Sequence, residues 1–210
     1  MKSLLLKEHI FLKRSYFYIT LVAMFFIPML TAFNRDLDYF GIVFPVALVN
    51  ITAFETINQD ERAGWDDFQN ILPIKKRDVV AEKFLLSIIM FAAMLISFSG
   101  ANVIRYFMSV YQGYEFTAAE FITPVIANAI VMFGNGIGFL MYYGFGMKKQ
   151  LNAFGFVTAF VVGAVLYLCY EIDIPVDGFV FGLCGVVLLA MLAFLGICYI
   201  LTVKRYEKRS

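Results

Sequence analysis

Apolar residues run in long blocks along this chain, and polar ones gather in short clusters between them. Six blocks carry almost no charge: residues 16–33, 39–58, 84–104, 121–147, 152–170 and 178–203, each 18 residues or longer. A helix crosses a hydrocarbon core of roughly 30 Å with about 20 residues. A transmembrane strand needs only about 9–11 residues and alternates lipid-facing with lumen-facing side chains, and the blocks show no such alternation. In lipid every backbone N–H and C=O must be bonded internally, so unbroken apolar blocks become helices. The pattern predicts an all-α polytopic membrane protein, a single domain over residues 1–210, with six transmembrane helices. The first block is long, and no small-x-small cleavage site precedes "FNRDLD", so it is read as a retained helix rather than a signal peptide.

Composition agrees. Hydrophobic residues make up 61% and charged residues 16% of the chain, against about 45–50% and about 25% in a soluble domain. Mean hydropathy is +0.79. Charge then sets an orientation. Lys2, Lys7, Lys13 and Arg14 precede the first block, and Arg62, Lys75, Lys76, Arg77 and Lys83 separate the second from the third. Lys148 and Lys149 follow the fourth, and Lys204, Arg205, Lys208 and Arg209 close the chain. Of the 17 Lys and Arg, only Arg35 and Arg105 fall in the alternate connections. Short cation-rich loops stay in the cytoplasm, so both termini are expected there. The net charge of +1 hides this asymmetry and carries no sign of nucleic-acid binding.

No catalytic set is visible. His9 is the single histidine, so a His-based metal site or triad is hard to build within the chain; no G-x-x-x-x-G-K-[ST] phosphate loop occurs, so any ATP used is expected on another chain. Cys169, Cys184 and Cys198 lie in the last two blocks; an odd number at apolar positions reads as small buried hydrophobes rather than disulfides. Gly134 and Gly138, like Gly178 and Gly182, have the four-residue spacing that lets membrane helices approach closely. Polar side chains at membrane depth mark either interhelical bonds or a transport path. Asn50, Glu55, Asn128 and Asn135 are the candidates. Asn128 and Asn135, two turns apart, share one helix face, and Glu55 lies close enough to an interface to be solvated.

The most polar connection, residues 59–83, also holds Trp65, the single tryptophan. Trp65, Phe68 and Leu72 fall at i, i+3 and i+7, one face of a short helix, with Asp66, Asp67, Gln69 and Asn70 off that stripe. Pro73 ends the turn, Lys75, Lys76 and Arg77 meet the lipid headgroups, and Asp78 is a plausible N-cap for the next helix. On physical grounds two readings stand: a solvated loop whose Trp anchors at the membrane surface, or a docking helix with a buried aromatic anchor.

The run "DERAGWDDFQNILPIKKRDVVAEK" at residues 60–83 resembles the small permease subunits of bacterial ABC transporters of the ABC-2 type. In these an acidic and aromatic loop after the second helix leads to "LP", then basic residues, then a valine-rich helix start with a Lys. Leu72, Pro73, Lys75, Lys76, Arg77, Val79, Val80 and Lys83 stand at those places. The six-helix layout extends the likeness over the whole chain. The resemblance implies a non-enzymatic transport subunit in the bacterial cytoplasmic membrane, paired with a second permease chain as homodimer or heterodimer. Each copy would dock on a separate ATP-binding cassette subunit, which would hold ATP and Mg²⁺. Gly64, Trp65, Asp66, Asp67, Phe68, Leu72 and Pro73 would form the coupling element, and residues 1–15 an interfacial segment. The cargo expected is an amphipathic peptide or other hydrophobic compound, moved outward. One departure is that residues 171–177 leave little room for the re-entrant extracellular element of larger relatives. Competing readings are a stand-alone scaffold or sensor, and a secondary transporter, although the inverted repeats and midplane charges of the latter are not seen.

Overall fold

The computed structural model describes residues 17–33, 38–65, 74–113, 118–146 and 178–208, with positions 155, 157, 158, 160, 161 and 164. Five helices are delimited: α1 (Phe17–Thr31), α2 (Asp38–Arg62), α3 (Lys76–Gln112), α4 (Ala118–Phe139, continued by a π-helical turn Leu140–Gly144) and α5 (Gly178–Lys208). The described positions between 155 and 164 are helical as well, and no strand occurs among the described residues. Lys76–Gln112, Ile122–Gly144 and Gly182–Lys208 are long and apolar enough to cross a membrane, and Val22–Thr31 is a shorter apolar helix.

Prolines do not break these helices. Pro28, Pro45 and Pro124 lie inside α1, α2 and α4; around Pro28 and Pro124 side chains donate to nearby carbonyls, as membrane helices allow. Thr31 Oγ1 donates to Ile27 O at 3.0 Å and Pro28 O at 3.2 Å; Asn128 Nδ2 donates to Pro124 O at 3.0 Å.

The unbroken α3 is the centre of the bundle, touching α1, α2, α4 and α5. Its inner stripe recurs every three or four residues, from Val80 and Phe84 through Ser87, Phe91, Met94 and Phe98 to Ala101, the spacing of one helix face. One core cluster joins Phe54 and Ile57 of α2, Phe84 of α3, Phe139 of α4 and Leu195 of α5. A second joins Met24, Ile42, Val46, Met94 and Val131 of α1 to α4. Ser97 Oγ donates to Met24 O at 2.7 Å, fastening α3 to α1. Outward faces stay apolar: Ile89, Ile96 and Val103 on α3 and Val186, Leu189 and Ile200 on α5 are exposed, as lipid-facing positions should be.

The helices overrun the apolar blocks that announce them. α3 begins at Lys76 and ends at Gln112 rather than spanning 84–104, and α2 continues to Arg62 rather than stopping at residue 58. At 1.5 Å per residue α3 is about 55 Å long, well beyond roughly 30 Å of hydrocarbon, so both ends project. Its N-cap is Lys75, not Asp78. Asp78 sits instead in the first turn, where a carboxylate favours the helix dipole. Gly113, left-handed at φ 74°, caps the far end by donating its N–H to Ser109 O.

Arg105 departs furthest from expectation. It is not in a loop but inside α3, 1% exposed, with Nη1 donating to Asn102 Oδ1 at 3.2 Å. Asn102, Arg105 and Ser109 share a buried face, while Tyr106, Phe107 and Tyr111 are exposed like an interfacial aromatic belt. Lys83, also expected in a loop, is likewise buried in α3. About 33 Å of helix separates Lys83 from Arg105, close to one hydrocarbon thickness.

Candidate functional site

The site grows from the junction of α2 and α3. After Arg62 the chain makes a turn in which Ala63 N–H donates to Gln59 O and Gly64 N–H to Glu61 O. Gly64 is left-handed at φ 64°, a conformation that costs a side-chain-bearing residue roughly 1–2 kcal/mol. A Cβ there would meet nothing within 4 Å, so backbone conformation rather than space favours glycine. Trp65 follows, helical and half-buried. Asp66, Asp67, Phe68, Leu72 and Pro73 lie outside the described residues.

Beneath this turn the two flanking helices are locked together. Lys83 Nζ of α3 lies 2.7 Å from Asp60 Oδ2 of α2, with side chains 0% and 4% exposed. The same ammonium donates to Thr56 O at 3.4 Å. A cation here is favoured twice, by the carboxylate and by the negative C-terminal end of α2. Glu82, next to Lys83, is equally buried. With α2 running to Arg62 and α3 beginning at Lys76, the link between the two helices is shorter than the polar stretch 59–83. Both members of the ion pair lie in the polar run of the sequence, but their only signal is the i to i+23 return of an acid and a base across a turn, which nothing local marks.

The basic residues after the turn sit at the surface of the same end. Lys75 and Arg77 are exposed, and Arg77 Nε is 3.8 Å from Asp78 Oδ1. Lys76 Nζ lies 5.0 Å from the ring centroid of Tyr206 on α5, and Arg205 lies 4.3 Å from that of Phe145, just past α4. The ends of α2, α4 and α5 and the start of α3 therefore converge, bringing Arg62, Lys75, Lys76, Arg77, Lys204 and Arg205 to one end of the bundle.

The polar candidates at depth separate. Asn128 and Asn135 are both buried on the inner face of α4. Asn128 is bonded within its own helix to Pro124 O, whereas neither amide atom of Asn135 has a hydrogen-bond partner among the described residues. Glu55 is half-buried near the ion pair in sequence, and the Asn50 side chain is outside the described set. Cys184 and Cys198 are buried free thiols. Gly134 faces Thr158, where a Cβ would come within 2.5 Å of Cγ2, so this glycine serves contact within the chain. Gly182 meets nothing. No cluster of metal-ligating side chains occurs among the described residues.

A family model described as "ABC-2 family transporter protein" matches residues 3–207. No curated protein and no solved structure matches the chain. With long apolar helices and a match over nearly its whole length, the chain belongs to the ABC-2 transporter family as a multi-pass membrane protein.

Proposed function

We propose that this chain is the membrane permease subunit of an ATP-driven exporter. Two copies pair in the bilayer, and each docks on a separate ATP-binding subunit that carries ATP and Mg²⁺. The family match over residues 3–207 carries this reading. The buried Asp60–Lys83 pair supports a route for the force. Residues 64–70 form the coupling element, pushed when the ATP-binding subunits close. Because α2 and α3 are clasped directly beneath it, they move as one body, and α3 passes the motion to every helix it touches.

The cargo we infer is an amphipathic peptide or another hydrophobic compound, moved outward. An aromatic content of 24 Phe and 12 Tyr suits such a cargo. Of the polar candidates, Asn135 is the one whose amide is free to meet a passing group when helices separate, since Asn128 is satisfied locally. Purified with its partner in mild detergent, the assembly is expected to hold two permease chains by native mass spectrometry; one per assembly would reject the reading.

The distribution of Lys and Arg supports a cytoplasmic position for the cationic end. Single cysteines at Gln69 and Gln112, in a background without Cys169, Cys184 and Cys198, should be labelled from opposite sides of the membrane. Labelling of the Gln69 position by an impermeant reagent in intact cells would reverse the orientation.

A further inference from the structure

An apolar groove of about 360 Å³ runs between α3 and α5, lined by Ala81, Phe84 and Ile88 on one side and Leu192, Gly196 and Tyr199 on the other. Its volume lies within the range of ligand pockets, roughly 300–1,000 Å³. The floor is rigid: Phe84 is buried and stacks edge-on against Phe139 at 5.1 Å and Tyr199 at 5.6 Å. The rim is open to the bilayer, with Ile88 and Leu192 exposed. A Cβ on Gly196 would meet nothing within 4 Å.

The groove ends at the cationic end of the bundle. Arg77 precedes Ala81 by four residues, so it continues the same helical stripe one turn further out. Lys76 reaches across to the Tyr206 ring on α5. Lys75, Lys76 and Arg77 stand at the start of α3 and Lys204, Arg205 and Lys208 at the end of α5, outnumbering Asp78 and Glu207 beside them. An apolar slot at membrane depth beneath a cationic mouth at headgroup level matches one chemistry, an acyl chain attached to an anionic head.

We propose that the α3–α5 groove holds an acyl chain of an anionic phospholipid whose headgroup rests on Lys76 and Arg77. Charge disfavours a second copy of this chain as the occupant. Two copies inserted the same way round place their Lys76 and Arg77 at the same depth, like charge against like. The site is independent of the transported cargo. It ties the start of α3 and the end of α5 to the lipid of one leaflet, just beyond the turn that holds Trp65.

The test is native mass spectrometry of the purified full chain, in the assembly it forms, titrated with dioleoyl phosphatidylglycerol or dioleoyl phosphatidylcholine. The wild type should retain the anionic lipid in preference to the zwitterionic one. Lys76→Gln with Arg77→Gln should shrink that preference by roughly fivefold per cation removed. Gly196→Phe should fill the groove and lower retention of both lipids. Equal retention of the two lipids by wild type, or an unchanged preference in the double variant, would overturn the proposal. So would a Gly196→Phe chain that loses its second copy while keeping its lipid, which would assign the groove to the dimer. If Gly196→Phe fails to fold, the Lys76 and Arg77 variant, altered only at surface positions, decides.

Discussion

Asp60→Ala is expected to destabilise the folded chain by about 3–5 kcal/mol, the cost of removing one partner from a buried ion pair. The carboxylate it deletes lies 2.7 Å from the Lys83 ammonium, and both side chains are almost wholly buried. Lys83→Met should cost a similar amount, whereas Asp60→Leu combined with Lys83→Met should recover most of the loss, because an apolar pair of similar volume leaves no charge stranded. Asp78→Ala is the internal control. It removes an exposed contact at 3.8 Å, and its effect should be about 1 kcal/mol or less. Chemical unfolding in detergent, followed by the fluorescence of the single Trp65, reads all four variants. An Asp60→Ala loss no larger than that of Asp78→Ala would mean that the α2–α3 clasp holds nothing together.

Much of this architecture is legible in the sequence because lipid leaves few options. Long uncharged blocks have to become helices, and the all-helical fold follows. The ends were not legible, and Lys76, Lys83 and Arg105 show why. Reading a charge as a boundary assumes that charges stop helices at the bilayer surface. A long helix instead carries its charges through that surface, over the Tyr206 ring in the case of Lys76, bonded to Asp60 in the case of Lys83 and to Asn102 in the case of Arg105. Partners brought together by tertiary packing leave no local trace. The same limit applies to the α3–α5 groove, since the spacing of Phe84 and Ile88 shows a face but not that a gap opens beside it. Gly64 reads in the sequence only as part of the coupling element, and the left-handed turn found there goes unanticipated. Asn128 and Asn135 share a face as their spacing requires, yet only packing distinguishes the bonded amide from the free one.

The second large effect concerns Trp65 with Phe68. If they anchor a coupling element in a groove on an ATP-binding subunit, truncating them removes the buried centre of that interface. A central aromatic anchor carries about 2 kcal/mol or more, roughly a thirtyfold change in affinity. Trp65→Ala with Phe68→Ala should leave the chain inserted, since the Asp60–Lys83 clasp and the helix cores are untouched. It should separate ATP hydrolysis from transport. Lys76→Gln with Arg77→Gln, by contrast, should leave docking intact, because those cations serve the headgroup layer. A Trp65 that only anchors at the membrane surface predicts the reverse: full partner binding and a small loss of membrane stability. The deciding measurement is recovery of the ATP-binding subunit by pull-down with wild type and with the Trp65→Ala, Phe68→Ala chain at equal membrane levels. The account predicts recovery reduced roughly thirtyfold near the dissociation constant; equal recovery would contradict it.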